Sequence, residues 1–119
     1  MPELIDSLFA VSPHVRYVAT LLDGKLAMRE RAGLANTSAS ESDKYEELIV
    51  NPAVLELVTR RGNIDCGGAQ FVVIRYGNFW QSVYGCRGGH VSIGMELAAE
   101  PLQLVSAIQA VLKGSNRLL

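Results

Sequence analysis

The sequence predicts an α/β (α+β) fold: one antiparallel sheet made of a hairpin and a three-stranded meander, with helices before, between and after them. Three observations carry this expectation. Residues 69–97 read as three strands joined by two glycine-containing turns. Asp23-Gly24 sits between two alternating stretches and is the strongest hairpin signal in the chain. Leu104, Val105, Ile108, Val111 and Leu112 share one helical face near the end.

In order, Pro2 suits the first turn of a helix, and Leu4, Ile5, Leu8 and Phe9 form its apolar stripe. Ser12-Pro13 closes that helix, because the residue before proline is pushed out of helical geometry. Residues 14–22 and 25–31 alternate as the two strands of the first hairpin, and Arg29 and Arg31 mark the second as an edge strand. The run 35–40 is small and polar, a loop. Ser40 is the expected cap of a second helix, with Asp43 reciprocating. Glu41, Asp43, Glu46 and Glu47 read as a solvated acidic face. Asn51-Pro52 should kink or restart the helix, with Asn51 as the new cap. Arg60 and Arg61 complement its end, and Gly62 should stop it.

The meander follows as strands over 70–76, 79–84 and 90–97. Its first strand is apolar on both faces, so both faces need cover from helices or a second subunit. Gly77-Asn78 suggests a tight turn with positive φ. In the last strand Val91, Ile93, Met95 and Leu97 oppose His90, Ser92, Gly94 and Glu96, a half-buried pattern. Glu100-Pro101 opens the last helix, Gly114 ends it, and residues 115–119 are expected as a frayed tail behind a single domain over 1–114.

With 119 residues, 49% of them apolar, the chain is long enough for one packed core. A net charge of −1 with no basic stripe argues against nucleic acid as the main partner. No run is long enough to span a membrane, and the N-terminus lacks a signal-peptide pattern. The two cysteines, Cys66 and Cys86, form no CxxC pair, which points to free thiols in a cytoplasmic setting.

Helix, hairpin, kinked helix, meander, helix is an order that resembles the roadblock/dynein-light-chain domain, a profilin-like fold. The likeness covers residues 2–114 and rests on element order and length, with Asp23-Gly24 closing the first hairpin and Pro101 opening the last helix. It implies a five-stranded sheet of order 2-1-5-4-3. It also implies a non-enzymatic, homodimeric interaction or scaffold module, with a small Ras-like GTPase as a candidate partner and no cofactor. Such dimers form through the middle helix and third strand, which here places Leu48, Val54, Leu55, Val58, Phe71 and Val73 at the seam. The alternative is a small-ligand sensor of PAS or GAF type.

Chemistry-bearing residues are sparse. Cys66, Cys86 and His90 lack the two close pairs of a zinc site. Cys66 with His90 is a weak nucleophile–base pair, because their strands are not neighbours in the implied sheet. Gly85–Gly89 with Arg87 lacks the lysine and helix of a phosphate loop. No catalytic or metal-binding residue is therefore assigned. Cys66, Trp80, Arg87 and His90 remain as candidates for a partner or ligand surface.

Overall fold

The computed structural model describes residues 2–34 and 39–119. The expected loop over 35–40 therefore lies largely outside the described residues. The elements run α1 (Pro2–Phe9), β1 (Val15–Leu22), β2 (Lys25–Glu30), α2 (Ser40–Tyr45), a π-helical turn (Glu46–Val50), α3 (Asn51–Asp65), β3 (Val72–Arg75), β4 (Trp80–Cys86), β5 (Gly89–Met95), a 3-10 turn (Pro101–Leu104) and α4 (Val105–Gly114). The sheet is antiparallel throughout, with order β2-β1-β5-β4-β3.

Strand alternation gives the sheet two different faces. One carries Val18, Leu22, Tyr84, Val91, Ile93 and Met95, all buried with Leu4 and Leu8 of α1 and Ile108 and Leu112 of α4. This is the apolar core. The opposite face carries Tyr17, Gln81, His90, Ser92 and Gly94 and lies under the middle helix formed by α2, the π turn and α3.

The proline at position 52 does not break that helix. Asn51 N–H donates to the Glu46 carbonyl, a bond that spans five residues rather than four. The wider turn opens the space in which a proline ring would meet the carbonyl of the preceding turn. Asn51 consequently caps nothing and is fully buried within the helix. Ser40 is likewise not the cap: Ala39 occupies that position without a side-chain bond.

Gly62 does not stop the helix, which continues to Asp65. Its role is close approach. A Cβ there would lie 2.9 Å from the Gly68 carbonyl carbon and 3.0 Å from the Ala69 nitrogen. The chain folds back on this glycine, whose carbonyl accepts from both Cys66 N–H and Gly68 N–H, each at 3.0 Å.

The Asp23-Gly24 turn has φ of 53° and 80°, as a tight primed hairpin requires. The Gly77-Asn78 turn is different: neither residue has positive φ, and the loop closes by Tyr76 N–H donating to Phe79 O at 3.0 Å. Residues 115–119 do not run free. Arg117 N–H and Leu118 N–H both return to the Leu112 carbonyl, Arg87 N–H donates to Arg117 O at 2.7 Å, and Leu118 packs on the core.

Candidate functional site

The sheet face under the middle helix centres on one carboxylate. Glu47 is fully buried, and four side chains donate to it. His90 Nε2 lies 2.8 Å from Oε1, and Asn51 Nδ2 donates to the same oxygen at 3.0 Å. Ser92 Oγ donates to Oε2 at 2.6 Å and Tyr17 OH donates to it at 3.0 Å. His90 and Ser92 sit two apart on β5 and therefore point the same way, while Tyr17 reaches in from the neighbouring strand β1. Asn51 lies four residues after Glu47 on the helix.

Burial alone would push the Glu47 carboxyl up. The hydrogen bonds from His90, Ser92 and Asn51, together with the charge a protonated His90 carries, outweigh it and hold the group below the usual carboxylate range. Tyr17 is shifted far the other way, by burial first and then by the adjacent Glu47 charge. The hub thus consists of a charged acceptor met by four side-chain donors, of which Tyr17 is held firmly in its protonated form. Glu47, His90 and Ser92 are 0%, 2% and 0% exposed, so the cluster joins helix to sheet and offers no reacting atom to solvent.

Beside the hub, a cleft of about 530 Å³ opens between the first half of the middle helix and the sheet. Its walls include Tyr17, Asp43, Glu46, Tyr76, Phe79 and Gln81. Tyr76 OH donates to Glu46 at 2.8 Å and its ring rests 5.3 Å from that of Phe79.

The four residues expected on a partner or ligand surface do not share one. His90 is enclosed by Glu47. Trp80 is half-buried against the core on the opposite sheet face, with Arg75 stacked over its ring. Arg87 is bound to the C-terminal residues, and Cys66 is exposed at the end of α3, beside the Asp65 carboxylate. Cys86 is buried in the apolar core while His90 points into the polar face, so the pair weighed as metal ligands is separated by the sheet. Among the described residues no group of three or more His, Cys, Asp or Glu is placed to hold a metal.

Of the residues expected at the seam, Phe71 and Val73 lie on the core side of the sheet and the other four on the middle helix. Phe71 turns into the core and stacks on Tyr84 at 5.4 Å. Val73 pairs with Ser82, on that same sheet face, away from the middle helix. Val72 and Ile74, opposite Val83 and Gln81, are the residues of β3 that share the face of the helix. Val54, Leu55 and Val58 are half-buried within the chain, and Leu48 is exposed. The larger exposed apolar residues of this helix, Tyr45, Ile49, Leu57 and Ile64, are 62%, 54%, 68% and 75% exposed. By helix geometry, the added residue of the π turn brings Ile49, Leu57 and Ile64 onto the side away from Glu47 and Gly62, with Tyr45 at the near end of that row, where it also lines the cleft.

Sheet order, flanking helices and the long middle helix define a roadblock-like fold. Among solved structures the chain is similar to "MglB with tetrameric arrangement", with a TM-score of 0.68 and 11% identity over 95% of this chain and 85% of that one. It is also similar to the gliding protein MglB from Thermus thermophilus, with a TM-score of 0.61 and 11% identity over 95% of this chain and 90% of that one. No protein-family model and no curated protein sequence matches the chain. Among the described residues no helix is long and apolar enough to cross a membrane.

Proposed function

We propose that this chain is a non-enzymatic, homodimeric interaction module of the cytoplasm that docks or regulates a small Ras-like GTPase. The observation that carries the dimer is the row Tyr45, Ile49, Leu57 and Ile64 on the outer side of the middle helix. Isolated apolar residues are common on surfaces; a row of four large ones along one helix asks for a partner surface. The adjacent β3 is an edge strand bearing Val72 and Ile74, whose outer backbone edge can pair with a second copy. A two-fold dimer matches this patch to itself. The same proposal keeps Leu48, which is exposed, and Val54, Leu55 and Val58, which are half-buried, as further seam residues.

The non-enzymatic reading is supported by the sealed state of the Glu47–His90–Ser92 cluster, which looks like a catalytic set in composition but is consumed by its own hydrogen bonds. The GTPase partner follows from fold likeness to roadblock domains, and one of the similar structures is itself described as tetrameric. A PAS- or GAF-type sensor is not favoured by these likenesses. The partner is tested by purifying the chain from its native host: a small GTPase that co-purifies with the wild-type chain supports the reading, and its consistent absence counts against it.

A further inference from the structure

We propose that the cleft between the middle helix and the sheet binds a small organic cation, a primary ammonium or guanidinium compound that also carries a hydrogen-bond acceptor. The site lies on the sheet side of the helix, meets the proposed dimer row only at Tyr45, and does not depend on any GTPase.

Its charge is unbalanced. Glu30 from the end of β2 and Asp43 and Glu46 from the middle helix line the cleft, beside the already satisfied Glu47. Among the described residues, the only lysine or arginine in the lining is Arg16, which pairs with Glu96 at 3.5 Å and lies over the Phe79 ring at 5.5 Å. The cation on the helix nearest these acids, Lys44, is paired outward with Glu41 at 3.6 Å. Burial raises the Asp43 carboxyl, and Glu30 and Glu47 raise it further. Burial also raises Glu46, with Glu47 and Asp43 adding to it against the Tyr76 hydrogen bond. Carboxylates crowded in this way gain most from an incoming positive charge.

The aromatic walls suit the same ligand. Tyr17, Tyr45, Tyr76 and Phe79 all line the cleft, and ring faces attract organic cations. The acceptor requirement comes from Gln81. It lies on the cleft floor, is 1% exposed, and its Nε2 has no hydrogen-bond partner among the described residues. An unpaired buried donor is costly, and a ligand carbonyl or hydroxyl would supply its missing acceptor. The cleft volume of about 530 Å³ is in the range of small-molecule sites and exceeds what one partner side chain would fill.

The test titrates the full chain with N-acetylputrescine, which joins one ammonium to one amide carbonyl, and with its neutral counterpart N-butylacetamide. Binding is followed by calorimetry and by NMR shifts. The cation should shift Tyr17, Tyr76, Phe79 and Gln81 signals and bind at least about tenfold more tightly than the neutral compound. Asp43→Asn with Glu46→Gln should weaken it about tenfold or more. Gln81→Leu should weaken N-acetylputrescine but leave n-butylamine, which has no acceptor, unchanged. Affinity should fall as pH drops and Asp43 and Glu46 take up protons; Glu30, Glu47, Tyr17, Tyr45, Tyr76 and Arg16 are the other charged or titratable groups that line the cleft with them. Equal binding of the neutral compound, shifts confined to another surface, or no binding would each overturn the proposal. Tight binding only of an arginine- or lysine-bearing peptide, with no response to the free amine, would also overturn it and assign the cleft to a protein partner.

Discussion

His90 Nε2 lies 2.8 Å from Glu47 Oε1, joining the middle helix to the strand at the centre of the sheet across 43 residues of sequence. The apolar core lies on the other side of the sheet. The middle helix is therefore tied to the sheet by a polar contact, in which a carboxylate taken out of water is met by four side-chain donors. Such contacts are strongly destabilising when half-removed, because the remaining groups stay buried without partners.

Glu47→Ala should destabilise the fold by about 3–5 kcal/mol, since His90, Ser92, Tyr17 and Asn51 would lose their common acceptor. Glu47→Gln keeps the shape and should cost less, about 1–3 kcal/mol. Urea denaturation followed by circular dichroism measures both. Equal stability of Glu47→Ala and wild type would mean that the hub is not holding the helix.

Stability should fall in acid because of the same group. The folded-state pKa of Glu47 is depressed, so its contribution is present above the unfolded glutamate value of about 4.3 and is lost as pH falls from there through the folded value. Asp43 and Glu46 act in the opposite sense. Their folded pKa values are raised, so their contribution is present below the unfolded values and lost as pH rises through the folded ones. In a denaturation series across this range, Glu47→Gln should flatten the acid limb, and Asp43→Asn should raise stability at neutral pH relative to wild type.

Gly89 and Gly24 should respond differently to alanine. A Cβ on Gly89 would stand 1.9 Å from the Leu21 carbonyl oxygen, a backbone atom in the neighbouring strand. At Gly24, with φ 80°, an added Cβ would meet no atom of the described residues within 4 Å. Gly24→Ala should cost about 1–2 kcal/mol from backbone conformation alone. Gly89→Ala should cost several times more or prevent folding, because β1 and β5 must part. Thermal melts of the two variants give the comparison.

Removing residues 116–119 should destabilise the chain by about 1–3 kcal/mol, the scale of a lost apolar side chain with its bonds. Leu118 packs on the core, and Arg117 donates to Asp23 at 3.2 Å and to the Arg87 carbonyl at 2.9 Å. Unchanged denaturation on truncation would show that these residues do not hold the two turns they bridge.

Much of the fold is legible in the sequence, for local reasons. Asp23-Gly24 forms the turn its residues favour, and Ile108 and Leu112 bury themselves as the helical spacing of the last element requires. The sheet order comes from the resemblance rather than from any one residue. The hub is not legible from the acidic run alone, because Glu47 stands among three less buried acids and reads as one of them. Two signals point to it: Asn51 one turn later on the same helix, and the polar stripe His90, Ser92 and Gly94 on a strand whose sheet needs cover on both faces. The proline at position 52 misleads because its usual clash assumes an α-helical turn, and the π turn removes that assumption. The side on which each β3 residue falls is not legible, because it depends on register: a strand alternates sides at every residue, and the pairing of Val72 with Val83 puts Phe71 and Val73 on the core side.

The dimer through the outer face of the middle helix is tested most directly by light scattering coupled to size exclusion. The measurement compares wild type with a variant carrying Ile49→Asp and Leu57→Asp, two exposed positions that fold stability should not require. Wild type should run at twice the chain mass and the variant as a folded single chain. A wild-type protein that remains a single chain at high micromolar concentration, or a variant that stays dimeric, would contradict the dimer.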